Sequence, residues 1–270
     1  MTIKLIIQML VFFVSVNCVA EPSLMAAPLG GSTGTSGIWC ERKSGFAITQ
    51  EHELRLTLSL RRITGYDSLR FGSDGSLILD DSLSTKGGSA EARRILMRAL
   101  CSKASFVIED YSASGQVIFG QAVSERVIYG AREGGFSQVW RLRLDFDDFQ
   151  QMGASSEVRA SFDEGITFFH ELLHGLGYND TSRDGELGAC EEIVNRVRGE
   201  LGLPLRDQYF ANAWRISERL TSVRLRFRRP ARDGNSARWE SSYLFFILTE
   251  PADYFASMGE AMRVGPSIRR

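Results

Sequence analysis

Apolar and polar residues alternate in several short segments of the first 150 residues, which predicts strands with one buried face. The segments 54–60 (LRLTLSL) and 139–149 (VWRLRLDFDDF) show the alternation most clearly. Turn-forming residues at 112–115 separate two shorter apolar runs and predict a hairpin there. The predicted strands in this part of the chain are 54–60, 77–79, 106–108, 116–119 and 139–149.

Apolar residues at helical spacing predict three helices, at 90–100, at about 162–176 and at 190–202. The middle segment is the most apolar of the three. Ser161 and Glu164 have the spacing of a capping box at its start, and glycines just beyond its last apolar residues offer a stop. This part of the chain is therefore expected to contain a buried helix followed by a second helix.

The C-terminal part of the chain predicts another hairpin, formed by 223–228 and 239–248 around a turn at 233–236. One face of its first strand is apolar and the other consists of arginines. A net charge of −1 for the whole chain gives no reason to expect a polyanionic partner. We interpret the arginine face as a solvated surface and predict no nucleic-acid binding.

The N-terminus has the features of a signal peptide. Lys4 precedes an apolar stretch that ends at Val16, and Cys18-Val19-Ala20 provides small residues for cleavage after Ala20. We therefore predict a signal peptide at 1–20, a flexible Gly/Ser/Thr-rich linker at 21–37, and one domain at 38–270. The expected location is secreted or periplasmic, with no stable membrane association after cleavage.

The composition is that of an ordinary globular protein, with 43% hydrophobic and 24% charged residues. Cleavage of the signal would leave about 250 residues, enough for one catalytic domain with a sizeable core. Three cysteines would remain, Cys40, Cys101 and Cys190. Because Cys190 lies beside a candidate metal ligand, we expect any disulfide in an oxidising compartment to join Cys40 to Cys101.

The middle helix carries the strongest chemical signal in the chain, His170-Glu171-Leu172-Leu173-His174. Positions i and i+4 share one face of a helix, so His170 and His174 can bind the same zinc ion. Glu171 can then act as general base toward a water molecule that attacks a carbonyl. Burying two imidazoles and a carboxylate on so apolar a helix would be costly unless they are paired or bind a metal.

A catalytic zinc ion usually has three protein ligands, and several carboxylates compete for the third place. Asp180 completes the pattern His170-Glu171-x-x-His174-x-x-Gly177-x-x-Asp180, which resembles the metzincin pattern with aspartate replacing the third histidine. However, no methionine follows at close range to form a Met-turn. Asp253 lies in EPADYFA, a segment that resembles the one supplying the third ligand in lethal-factor-like peptidases.

Glu191 is the preferred third ligand. On a helical wheel it borders the apolar side of the predicted helix 190–202, whereas Glu192 points away. Asn195, one turn further on, could orient a ligand through a hydrogen bond.

A longer set of residues resembles the effector-type zinc metallopeptidases of bacteria, which occur among type III effectors and polymorphic toxin tips. It comprises His170 to His174, the pair Glu191-Glu192, and the segment Asn195 to Tyr209 (NRVRGELGLPLRDQY). The resemblance covers about residues 135 to 210. It implies a gluzincin-like site, with zinc on the two histidines and a downstream glutamate and with Glu171 as base.

The fold expected for such a protein is α+β. We expect a zincin-like single domain in which a mixed or antiparallel sheet packs on the HExxH helix and on a second ligand helix. The strand at 139–149 could bind an extended substrate by main-chain hydrogen bonds. Tyr178, Tyr209 or Tyr243 could stabilise an oxyanion, Arg206 could hold a substrate carboxylate or carbonyl, and His52 is expected at the surface.

The predicted function is that of an exported zinc-dependent metallopeptidase that hydrolyses peptide bonds of a protein or peptide substrate. One alternative is a zinc hydrolase of another amide or ester, such as a cell-wall crosslink, because an activated water does not itself choose the carbonyl. The other is a non-catalytic zinc-containing binding module. Retention of Glu171 argues against the second alternative, because a structural zinc site needs no base. Cleavage specificity and oligomeric state do not follow from the sequence.

Overall fold

A computed structural model of the protein describes residues 37–79, 85–114, 119–129, 135–180, 186–208, 212–217, 220–230 and 239–249. The predicted signal peptide, nearly all of the predicted linker, Tyr209 and Asp253 lie outside these residues. The boundaries proposed at residues 20 and 37 therefore stay predictions.

The described residues form a mixture of helices and strands, labelled in chain order. The helices are α1 (Gln50–Thr64), α2 (Ala90–Leu100), α3 (Phe146–Gln150), α4 (Ser156–Ala160), α5 (Glu164–Gly175) and α6 (Gly188–Glu200). The strands are β1 (Gly37–Cys40), β2 (Arg70–Phe71), β3 (Leu77–Ile78), β4 (Ser105–Asp110), β5 (Gly120–Tyr129), β6 (Gly135–Leu144), β7 (Leu205–Arg206), β8 (Asn212–Ser217), β9 (Leu220–Pro230) and β10 (Trp239–Thr249).

The first sheet has the strand order β1-β4-β6-β5. β1, β4 and β6 run parallel to one another, and β5 is antiparallel to β6 at the edge of the sheet. Its main core includes residues of α1, α2, α5 and α6, among them Leu56, Leu96, Phe169, Val194 and Phe106 of β4. The described chain is thus mixed α and β with open sheets, which confirms the coarse prediction of an α+β fold.

The second sheet is built around β9. This strand pairs with β10 on one side and with β7 and β8 on the other. Its inward side chains meet α3, α4 and the start of β5 in a second core, formed by Phe119, Phe149, Met152, Val158, Phe162, Val223, Leu225, Phe227, Leu244 and Phe246. The predicted C-terminal hairpin is confirmed by the antiparallel pairing of β9 and β10.

The prediction of a strand at 54–60 is wrong, because these residues lie inside α1. Thr49 caps this helix by accepting a hydrogen bond from the backbone N–H of His52, and the left-handed Gly65 ends it. Leu56, Leu60 and Ile63 are buried at helical spacing. Leu54 and Leu58, which made the segment look like a strand, are instead more than half exposed.

Most of the second strand of the predicted hairpin, 116–118, lies outside the described residues. The first strand, 106–108, lies in β4, which pairs in parallel with β1 and β6 instead of forming a hairpin with the chain that follows it. The predicted strand 139–149 is confirmed only as far as Leu144. Asp145 caps α3 by accepting a hydrogen bond from the backbone N–H of Asp148, at 3.1 Å, and the chain then turns into this short helix.

All three predicted helices are present as α2, α5 and α6. The predicted capping box at the start of α5 is wrong by two residues. Asp163 is the N-cap, and its Oδ1 accepts a hydrogen bond from the backbone N–H of Ile166 at 3.0 Å. Ser161 instead ends α4, where its hydroxyl donates to the carbonyl of Glu157.

The thiols of Cys40, Cys101 and Cys190 are all free, so the pairing predicted for Cys40 and Cys101 is not formed. Among the residues that the structure describes, no helix is both long and apolar enough to cross a bilayer.

Candidate metal centre

His170 and His174 lie on α5, and the chain beyond this helix brings Asp180 to both of them. Asp180 Oδ1 is 3.3 Å from His170 Nε2, and Asp180 Oδ2 is 3.1 Å from His174 Nε2. One donor atom from each residue lies within 4.8 Å of the other two. Gly177 allows this return, because its φ of 89° belongs to the left-handed region that side chains disfavour.

The second ring nitrogen of each histidine faces a hydrogen-bond acceptor. His174 Nδ1 is 3.2 Å from the backbone oxygen of Tyr178, and His170 Nδ1 is 3.2 Å from Oε2 of Glu191. When each ring is neutral and its proton is on Nδ1, the Nε2 lone pair points toward Asp180. Two imidazole nitrogens and one carboxylate form a donor set that suits zinc and leaves one position open. The residues present therefore fit the predicted cofactor.

Charge in this cluster favours a cation. Burial alone would lower the pKa of His170, but Asp180, Glu191 and Glu171 together raise it to about 10. Burial would raise the pKa of Asp180, yet His170 and His174 hold it below its usual range. The buried carboxylates thus favour a positive charge on His170, and a metal cation could take its place.

Glu171 points from α5 toward β5. Its side chain is 1% exposed, and the backbone N–H of Ala122 donates a hydrogen bond to its carboxylate. Burial raises the pKa of Glu171 above its usual value, although both histidines oppose the shift. A carboxylate with a raised pKa that stands next to the two histidines has the properties of a general base.

Glu191, the third ligand that the sequence favours, occupies a different position. Its carboxylate meets Nδ1 of His170, whereas Asp180 meets Nε2 of the same ring and Nε2 of His174. Salt bridges to Arg198 and Arg206 hold Glu191 in place, and both side chains are buried. The structure therefore brings Asp180, and not Glu191, to the two converging nitrogens.

The side chains of the other residues singled out from the sequence have different partners. Glu192 is exposed on α6. The Tyr178 hydroxyl accepts a hydrogen bond from Arg98 at 2.7 Å, and the Tyr243 ring lies 4.4 Å from the Arg224 guanidinium in the second sheet. Arg206 is 8% exposed and contacts Glu191, so it is a buried partner rather than a surface substrate anchor.

His52 is not a simple surface residue. Its Nδ1 is 2.6 Å from Asp110 Oδ2, and its ring stacks on that of Phe146 at 4.5 Å between centroids. The prediction of a surface histidine is wrong because α1 packs this side chain against the end of β4 and the start of α3.

Two residues of β5 border the centre without any signal in the sequence, and Cys190 of α6 also lies beside it. Gly120 approaches α5 so closely that a Cβ there would stand 2.9 Å from Oε1 of Glu171. Ala122 meets Glu171 through its backbone, and Cys190 Sγ lies 3.7 Å from Nδ1 of His174. The contacts of Gly120 and Ala122 join β5 to residues of α5 about fifty positions further along the chain, which periodicity cannot reveal.

Comparison with protein-family models, with curated proteins and with solved structures found no match for this chain. The resemblance to effector-type metallopeptidases therefore stays a prediction.

Proposed function

We propose that the protein is a zinc-dependent metallopeptidase with His170, His174 and Asp180 as metal ligands and Glu171 as general base. The convergence of both Nε2 atoms on the Asp180 carboxylate is the observation that supports this proposal. Asp180 takes the place for which the sequence favours Glu191.

Each residue has a separate role in the proposed reaction. A zinc ion held by the three ligands would supply Lewis-acid chemistry toward a water molecule and a substrate carbonyl. Glu171 accepts the proton of the attacking water and later passes it to the leaving amine. Gly120 leaves room for the Glu171 carboxylate, and the backbone of Ala122 hydrogen-bonds to it.

The edge position of β5 favours a peptide as substrate. Along its length β5 pairs with β6, and no strand of the described chain pairs with its other side. Its first residues contact the Glu171 side of α5. An extended peptide that added to this edge by main-chain hydrogen bonds would run past the base, as substrates do in β-strand addition. In the proposed zincin-like arrangement this edge strand, rather than the segment 139–149, binds the substrate.

The proposal also includes export of the protein from the cytoplasm. The charged and apolar pattern of residues 1–20 is the reason to place the mature protein in the periplasm or outside the cell.

Peptide cleavage tests the proposal. The purified protein, loaded with zinc, is incubated with a diverse peptide library, and new termini are identified by mass spectrometry. We expect cleavage that a strong chelator abolishes. In Glu171→Gln, zinc should remain bound while the rate falls by about three orders of magnitude or more, because only the base is lost. An uncut library in the presence of bound zinc, or full activity in Glu171→Gln, would contradict the proposed reaction.

A further inference from the structure

The segment 195–206, one part of the resemblance, contributes neither a metal ligand nor the base in the proposed site. Two of its arginines instead contact the carboxylate of Glu191. Arg198, on α6, forms a salt bridge with Glu191 Oε1, and Arg206, on β7, places its Nη1 3.2 Å from Glu191 Oε2. The Glu191 and Arg198 side chains are each only 1% exposed.

Asn195 joins the two arginines. Its Nδ2 donates to the backbone oxygen of Arg206 and its Oδ1 accepts from the backbone N–H of Arg206, both at 2.8 Å. The same Oδ1 accepts from Nη1 of Arg198 at 2.9 Å. We call Glu191, Asn195, Arg198 and Arg206 the Glu191 clamp.

The Glu191 clamp also anchors the helix that carries the histidines. Arg198 Nε donates to the backbone oxygen of Ser161 at 2.8 Å, just before α5 begins. Oε2 of Glu191 faces both Arg206 and Nδ1 of His170, at 3.2 Å each. The position of this oxygen, and with it the position of the His170 ring, is therefore set by contacts from α6 and β7.

From this geometry we propose that Arg198 and Arg206 are positioning residues that act through Glu191 on His170. The proposal rests on the proposed function. The Glu191 carboxylate, aimed by the two guanidinium groups, accepts the Nδ1–H of His170 and so keeps the Nε2 lone pair directed at a divalent metal ion. This role explains why Asn195, Arg198 and Arg206 stand at these positions of the segment 195–206.

The opposing explanation is that the ion pairs of Glu191 with Arg198 and Arg206 only stabilise the fold. A second buried carboxylate in the chain serves as a control for this explanation. Glu109 on β4 is 2% exposed and is likewise held by two arginines, Arg141 at 2.5 Å and Arg143 at 3.1 Å. These contacts lie on β4 and β6 and include none of the metal-centre residues. Arg141 and Arg143 are 22% and 23% exposed, and Arg141 also pairs with Glu125, so Glu109→Gln should cost less stability than Glu191→Gln. Zinc affinity is therefore compared at a temperature where both variants are folded.

The test compares Glu191→Gln with Glu109→Gln. Zinc affinity is measured by competition with a chromogenic chelator, and thermal unfolding is followed for the metal-free proteins. We expect zinc to bind about 10- to 100-fold more weakly in Glu191→Gln, the usual effect of losing such a partner, and to bind within about threefold of wild type in Glu109→Gln. Nitrogen-15 NMR of the histidine rings in the zinc-bound proteins should show the Nδ1–H form of His170 in wild type and a mixture of forms in Glu191→Gln.

Arg206→Lys provides a second variant in case Glu191→Gln does not fold. Lysine keeps the charge but not the planar guanidinium, so an intermediate loss of zinc affinity is expected. Equal zinc affinity in wild type and in the folded clamp variants would overturn the positioning role while leaving the metal site intact. Absence of zinc binding in wild type would instead contradict the proposed function itself.

Discussion

Replacing Gly120 with alanine should reduce catalysis while leaving the metal ligands in place. An added Cβ would lie 2.5 Å from Cγ2 of Thr167, 2.9 Å from Oε1 of Glu171 and 3.1 Å from its Cγ. All three contacts are with α5 side chains on the side of the base. The φ angle of Gly120 lies outside the left-handed region, so the effect would be steric rather than conformational.

The distances set the size of the effect. Non-bonded carbon atoms normally approach to about 3.5–4.0 Å. Thr167, Glu171 or β5 must therefore move by roughly 1 Å, and a misplacement of that size costs a catalytic group about 100-fold in rate. The overpacking should also lower the free energy of unfolding by about 1–3 kcal/mol. Zinc affinity should change little, because the three atoms nearest to the added methyl group belong to Thr167 and Glu171 and not to a histidine.

The assay is the rate of cleavage of a peptide found in the library screen, measured with zinc content and thermal unfolding of each variant. Gly45→Ala is the matched control, because a Cβ at Gly45 meets nothing within 4 Å. Adding Thr167→Ser to Gly120→Ala removes the nearest clashing atom and should restore part of the rate. Wild-type activity in Gly120→Ala would show that β5 does not hold Glu171 in the way described.

Three further predictions concern the metal centre and its surroundings. Asp180→Ala should not retain zinc in equilibrium dialysis, whereas Glu192→Ala, which removes an exposed carboxylate as a control, should retain it. Equal zinc retention by the two variants would show that Asp180 is not a ligand. Zinc binding at pH 8 should release about one proton, seen by calorimetry in buffers of different ionisation enthalpy, because the pKa of His170 is raised to about 10 without metal. Zinc binding without proton release would contradict the raised pKa. In the metal-free protein the charged His170 stabilises the fold fully below its ordinary pKa of 6.5, and this contribution is lost as the pH rises through about 10. Burial and the neighbouring Asp148 raise the pKa of Asp145 to about 6, so its stabilising contribution is present below pH 3.8 and is lost as the pH rises through about 6. Asp145→Asn should therefore stabilise the protein by about 1–2 kcal/mol at pH 7.5 and not at pH 4, and an equal gain at both values would contradict this cause.

Local periodicity was sufficient to predict α2 and the two helices, α5 and α6, that hold the candidate site. α2, α5 and α6 repeat apolar residues at three- and four-residue spacing, and His170 and His174 fall on one face by the same spacing. α1 was not predictable in this way, because LRLTLSL alternates as a strand does. The residues that decide its structure, Thr49 and Gly65, cap the helix outside that segment.

Which carboxylate reaches the two histidines as the candidate third ligand depends on tertiary packing. A helical wheel indicates correctly that Glu191 faces the interior, and the structure buries it at 1% exposure. Which nitrogen of His170 it meets depends on how α6 packs on α5, a contact that the sequence does not specify. The position of β5 also depends on tertiary packing. Because β4 pairs in parallel with β6, β5 pairs with the other side of β6 and lies at the edge beside Glu171.

The zinc content of the purified protein decides whether the site is a metal centre. It is measured by elemental mass spectrometry after dialysis against a weak chelator, with circular dichroism as proof of folding. The proposal predicts about one zinc per chain in the wild-type protein and almost none in His174→Ala. A folded wild-type protein that retains no metal would contradict it.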